Sequence, residues 1–472
     1  MTFCACVKEV PVVSKAPEPV DAGLSEADLI LPKVDAIERE VIDVLRVNDE
    51  ALWKSWTTGA PLDLPANAKG HEALLGKNTL DVLRRARELR PKDTERIDAL
   101  SRWITGEALV RGVATETEAI TSLEASATFL VDGKEFAWRD LGKTLLSERS
   151  AVKRRSIWVA SHEVALKLDA LIARRDQKAT EVLASLGEPG PLEYAARSRG
   201  FELAQLEKRA EDALAASDEE WKATLQALSD LDVKLPAVQL TRGDFPRLLK
   251  VPAAIDAEFP KAKVATRLIQ TLGALGEYGK PGLTLDLAEA AKKNPLPLTV
   301  APASNDVRVS IRPLGGLRDQ QLALAEVGAA LQLKKMAAEP VFRGRLASPL
   351  AAQTESERFA ALLTDGSWLS ANEVKDTAAV IKSVKAQRLF MLRRAAGLVL
   401  ARLAASRAAD EAAARSAFVT VMTLAMGVTL SAEEGARWRV ETDDFLRSAT
   451  LLEAMLAAQA SPLTLPAPAS AQ

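Results

Sequence analysis

From Val34 to about Ser229, apolar residues return every three or four positions with a single interruption, and that period commits this part of the chain to packed amphipathic helices. Ile97, Leu100, Ile104 and Ala108 share one helix face, and Ile157, Ser161, Val164, Leu168 and Leu171 share another. The interruption is TFLVDGKEFAW, residues 128 to 138. There Asp132-Gly133 supplies a tight turn between two short apolar runs, so the stretch predicts a hairpin. Ala, Leu, Arg and Glu dominate the composition and aromatic residues are only 4%, the balance of a mainly helical protein.

At 472 residues the chain has material for two or three compact units of about 100 to 200 residues each. Residues 1–33, with Pro11, Pro17, Pro19 and Pro32 and no sustained period, read as a flexible N-terminal segment. Residues 34–230 form the first helical region. Pro and Gly recur in LDVKLPAVQLTRGDFPRLLKVP, residues 231 to 252, and a boundary is expected there, with a second helical region over 231–460. The Pro/Ala/Ser-rich tail, 461–472, is expected to be disordered.

Charge excludes some function classes. The formal net charge is -2 and the isoelectric point about 6.0, with no Lys/Arg stripe interleaved with aromatics, so nucleic acid is not expected as a partner. A long uncharged, apolar stretch, SAFVTVMTLAMGVTLSA at 416 to 432, carries three Thr and a Gly and falls short of a bilayer span. It reads as a buried core helix, and no transmembrane helix is expected. Cys4 and Cys6, the only cysteines, offer half of a zinc site and no disulfide framework. Phe3-Cys4-Ala5-Cys6 resembles the lipid-acceptor box of bacterial lipoproteins, with Cys6 as the acylated residue and a Pro-rich tether behind it. No charged and apolar leader precedes it in the sequence as it stands. Two localisations therefore stay open: cytoplasmic, or a lipid-anchored protein of the cell envelope whose start lies upstream.

The most strand-like region is 283 to 316, where Val307, Val309 and Ile311 alternate as a half-exposed edge strand would. Gly315-Gly316 breaks that strand ahead of a helix containing LALAEVGAALQ, residues 322 to 332. A gluzincin site needs HExxH on such a helix. Two His at i and i+4 hold zinc, the intervening Glu activates water, and a third ligand comes from a helix downstream.

The stretch DVRVSIRPLGGLRDQQLALAEVGAALQ resembles the signature of the thimet oligopeptidase and oligoendopeptidase F family: an edge strand, Pro-x-Gly-Gly, then a helix bearing H-E-x-G-H-A-L-H. The match places Ala325 and Ala329 at the two histidine ligands, Glu326 at the general base, Gly328 at the family glycine and Gln332 at the last His. Counting back from TDGSWL places Gln353 at the third ligand. WKSWTTGAPLD, DGKEFAWRDL, DFPRLLKVPAAIDAEFP and LTLDLAEAAKKNPLPLTVAP resemble other family segments in the same order. ETDDFLRSATLLEAMLAAQ resembles the C-terminal helix that carries the family's oxyanion-binding tyrosines, with Leu446 and Thr450 in their place. The resemblance covers roughly residues 45 to 460.

What it implies is a mainly α, two-lobed metallopeptidase-like fold with a small β element beside a pseudo-active-site helix. In this reading 231–460 is a pseudo-catalytic lobe without zinc or other cofactor, and Glu326 is vestigial. Glu326 would be solvated in an open cleft or paired with Arg312 or Arg318, because an unpartnered buried carboxylate is costly. In the family the strand before Pro-x-Gly-Gly presents its backbone to substrate, so Val309, Ile311, Arg312, Gly315 and Gly316 are expected to bind an extended peptide by strand addition. The two histidines, His71 and His162, read as surface or hydrogen-bonded structural residues, and the two tyrosines, Tyr194 and Tyr278, lie before the pseudo-site helix. The function expected is that of an inactive peptidase homologue acting as a binding or scaffold protein. Two alternatives are an active metal-dependent oligopeptidase or hydrolase using other residues, and a helper subunit of an active homologue.

Overall fold

The structure, a computed structural model, describes residues 25–63, 69–337, 339–443 and 445–465. Cys4 and Cys6 lie outside them, as does the end of the tail from residue 466. The described chain is mainly helical, with one two-stranded and one three-stranded sheet. None of its helices is long and apolar enough to cross a membrane.

The first helix, Glu26–Thr58, starts before the expected Val34 and has Pro32 inside it. Ser25 and Asp28 close a capping box at its start, and Pro32 sits on its exposed side. One missing N–H facing solvent is tolerated where a cap and buried Ile30 and Val34 hold the turns on either side. Ile30, Val34, Val41 and Val44 pack with Leu80 and Leu83 of helix Lys77–Leu89 and with Ile97, Leu100 and Ile104 of helix Thr94–Gly112. The hairpin forms where its turn demands it: β1 (Thr128–Val131) pairs antiparallel with β2 (Lys134–Ala137), and both Asp132 and Gly133 take positive φ. Phe129 and Phe136 stack across it with ring centroids 5.9 Å apart.

The expected boundary at 231–252 is an irregular stretch of short turns, but hydrophobic clusters run across it. Leu206, Ala210 and Leu214 of helix Leu203–Ala216 share a core with Leu392, Ala396 and Leu403 of helix Thr377–Ser406 and with Leu452 and Met455 of helix Phe445–Ala460. Trp221 and Leu225 share another with Phe245, Leu398, Phe418 and Met422. Buried Arg393 stitches this region together. Its guanidinium donates to the carbonyls of Leu214, Leu424 and Ala425 at 2.8 to 2.9 Å, at the C-terminal ends of two helices where carbonyls lack intrahelical partners. The apolar stretch at 416 to 432 forms most of helix Glu411–Met426 and buries Phe418, Met422 and Ala425.

The remaining sheet holds β3 (Leu283–Asp286), β4 (Leu298–Ala303) and β5 (Asp306–Ser310) in the order β3-β5-β4. β5 runs parallel to β3 and antiparallel to β4. It is the central strand, not the edge strand its alternation suggested, and Val307 and Val309 are buried. Helix Leu317–Met336 packs on this sheet, with Leu324 and Val327 in the same core as Val309. Beyond the last helix, Leu463 and Leu465 pack against that core as well, so the first residues of the expected disordered tail are anchored by apolar contact.

Candidate functional site

The strand-to-helix turn at 311–319 is held from several sides. The Asp319 carboxylate accepts from the backbone N–H groups of Leu314 and Gly315 at 2.9 Å, and the Gly316 N–H donates to the Phe259 carbonyl at 2.8 Å. Gly315 and Gly316 have φ of +90° and +94°, and a Cβ at 315 would lie 2.9 Å from the Lys261 backbone nitrogen. Only glycine fits.

Helix 317–336 turns two faces to different surroundings. Leu317, Gln320, Ala323, Leu324 and Val327 are buried, whereas Arg318, Gln321, Leu322 and Ala325, spaced by three or four residues, line a cleft of about 1320 Å³. Helix Leu350–Ala360 forms the next wall, contributing Gln353, Glu357 and Ala360. The two helices approach so closely that a Cβ at Gly328 would lie 2.5 Å from the Glu355 carbonyl oxygen. Thr450, from helix Phe445–Ala460, and Phe390 and Met391, from helix Thr377–Ser406, line the same cleft, as do Leu192 and Arg199 from the first half of the chain.

Ala325, Gln353 and Thr450, matched in the sequence to two zinc ligands and a tyrosine, thus come from three helices to one cleft. Ala329, one turn beyond Ala325, is half-buried and is not among the residues lining it. Leu446 lies outside the described side chains. The donor set does not fit zinc. Methyl groups at 325 and 329 have nothing to coordinate with, and the Gln353 amide nitrogen donates to Glu357 Oε1 at 3.4 Å. Among the described residues no group of three or more His, Cys, Asp and Glu side chains converges on a point that could hold a metal ion.

Glu357 was not singled out in the sequence, although its i+4 spacing from Gln353 was the signal that both would face the same way. Burial pushes its carboxyl up, and Arg388, donating at 3.0 Å, counters that. Glu326 behaves differently from both expectations. It does not line the cleft and pairs with neither Arg312 nor Arg318. Arg312 donates to the Lys293 carbonyl at 3.0 Å, and Arg318 is exposed in the cleft. Burial raises the Glu326 carboxyl above its ordinary range, with the neighbouring Thr299 of β4 acting in the opposite direction, and the Thr299 hydroxyl donates to the Glu326 main-chain carbonyl at 3.4 Å. A second acid, Asp49 of the first helix, accepts from the Ala301 N–H of β4 at 3.1 Å.

The expected strand-addition site is closed by the chain itself. Val309 pairs with Leu285 on one side and Thr299 on the other. The Ile311 N–H donates to the Asp286 carbonyl at 2.9 Å and its own carbonyl accepts from Lys293 Nζ at 3.0 Å, while Gly315 and Gly316 are engaged as above. An added strand has no free row of donors and acceptors there. The cause is the sheet order: β4 returns along one side of β5 and β3 along the other.

Neither histidine lies in the cleft. His71 Nδ1 meets Glu40 at 2.9 Å. His162 is buried and, contrary to expectation, neither ring nitrogen has a hydrogen-bond partner among the described residues. Tyr194 is buried and donates to the Arg102 carbonyl at 3.0 Å; Tyr278 is exposed. Compared with known proteins, the chain matches no protein-family model and no curated protein.

Proposed function

We propose that this chain is a catalytically inactive homologue of the thimet oligopeptidase and oligoendopeptidase F family, with that family's two-lobed helical architecture, and that it binds an extended peptide in the 1320 Å³ cleft. One observation carries the reading. Three positions that sequence resemblance alone assigns to metal and oxyanion chemistry come from three helices to line one cleft, with Ala325 and Gln353 lacking the imidazole and carboxylate that would hold zinc and Thr450 lacking the phenol. The clearance left by alanine at 325 adds room for a ligand in place of reactivity. Recognition then rests on cleft-lining side chains, since β5 is flanked by a strand on either side.

The test is zinc stoichiometry of the purified chain by elemental analysis, after exposure to excess zinc and desalting, together with hydrolysis of a quenched fluorescent peptide. The expected result is zinc near zero and no cleavage that follows the protein through purification. One zinc per chain with chelator-sensitive cleavage would replace the proposal with an active metallopeptidase using other ligands.

A further inference from the structure

The charges lining the cleft do not balance. Seven Lys and Arg side chains face four Asp and Glu, in a chain whose formal net charge is -2. All four acids are engaged within the protein. Asp176 meets Arg175 at 3.2 Å and Arg402 at 3.4 Å, Asp443 accepts from Arg175 at 3.0 Å, Glu357 accepts from Arg388 at 3.0 Å, and Asp256 accepts from the Leu317 N–H at 3.0 Å. Lys143, Lys250 and Arg318 are exposed and meet no carboxylate within ion-pair distance among the described residues. They come from three separate parts of the chain, so the excess is a property of the folded cleft and not of a basic run.

We propose that the cleft selects peptides rich in acidic side chains, whose carboxylates pair with Lys143, Lys250 and Arg318 while apolar side chains pack on Leu322, Met391 and Leu451. This rests on the peptide-binding reading above and adds the chemistry of the ligand. A concave cationic surface concentrates anionic ligands and speeds their encounter. Peptide is favoured over a nucleic-acid strand because single strands need aromatic faces free for stacking. Phe390 is already committed to Phe245 and Trp221, with ring centroids 5.2 and 6.1 Å away, and Phe445 is buried.

The experiment measures fluorescence anisotropy of the full chain with three labelled peptides of equal length, alternating Leu with Glu, Gln or Lys. The Glu peptide should bind about tenfold more tightly than the Gln peptide, with the Lys peptide weakest, and that advantage should shrink in about 0.5 M salt. The triple variant K143Q/K250Q/R318Q, altered only at exposed positions and checked for an unchanged Tm, should lose the preference, binding the Glu peptide no more tightly than the Gln peptide. Equal binding of Glu and Gln peptides would overturn acidic selection and leave peptide binding standing. Binding of none of the three would remove the peptide reading and this one with it. An oligothymidylate that displaces the Glu peptide at lower concentration than unlabelled Glu peptide would transfer the cleft to nucleic acid.

Discussion

His162 concentrates several residue-level forces in one position. Its ring meets Trp158 edge-on at 5.9 Å between centroids, and burial, reinforced by the nearby Arg437 and Arg242, depresses its pKa from 6.5 to about 4. Glu433 and Glu441 act in the opposite direction and do not prevail. Arg437, itself buried, lies 3.7 Å above the Trp158 ring, so a proton on His162 would place a second cation in a site already holding one. Between about pH 6.5 and 4 the unfolded chain takes up a proton that the folded chain refuses. The stability tied to this residue is therefore complete above pH 6.5 and is lost as pH falls towards 4, by up to about 3 kcal/mol. Thermal melts across that window should show a shallower acid loss for His162→Leu than for the parent. Parallel slopes would refute the assignment. The sequence showed a His on a helical face with Trp158 four residues before it; the approach of Arg437, 275 residues later, is what no local pattern reveals.

Helices and turns were legible where a local rule governs them. Asp132-Gly133 had to make a tight hairpin turn, and Gly315-Gly316 had to break the strand before the helix, because backbone sterics act over a few residues. The 318, 321, 322, 325 stripe follows from helical spacing, so a surface carrying Ala325 could be anticipated. What could not be read was the middle position of β5, because alternation reports which side chains are covered and not which strands lie on either side. Gly328 links the two kinds of information. It was legible as a motif glycine, and its reason, the Glu355 carbonyl 2.5 Å from where a Cβ would stand, belongs to the pairing of two helices. Gly328→Ala gains helix propensity but must push helix 350–360 away. It should destabilise the protein by about 1–3 kcal/mol in chemical denaturation, whereas an unchanged or higher midpoint would mean that the helices separate freely.

For the whole molecule, the sequence suggested a division near residue 231, yet two hydrophobic cores are built from both sides of it. Long-range packing of this kind leaves no trace in composition. Expressed alone, residues 231–460 would expose the faces of helix 377–406 that Leu206, Ala210, Leu214 and Trp221 cover, each large side chain worth about 1.5–3 kcal/mol when buried. Such a fragment should bind the dye ANS and melt without a cooperative transition, and co-expression with residues 25–230 should restore one. A cooperative melt near the full chain's Tm would show the fragment to be self-sufficient.

Sheets with an open margin tend to grow by recruiting strands from neighbouring molecules. On β4 the Ala301 N–H that would invite such a strand is stoppered by the Asp49 carboxylate of the first helix, and the Thr299 hydroxyl is turned to the main-chain carbonyl of Glu326 on the helix behind it. Burial raises the Asp49 carboxyl above its usual range, so it holds its place as an acceptor at a cost in solvation that the Ala301 N–H and Arg345 help to offset. The first helix thus does more than fill a core: through one half-buried acid it caps the margin of the sheet at which a strand from a second copy could add.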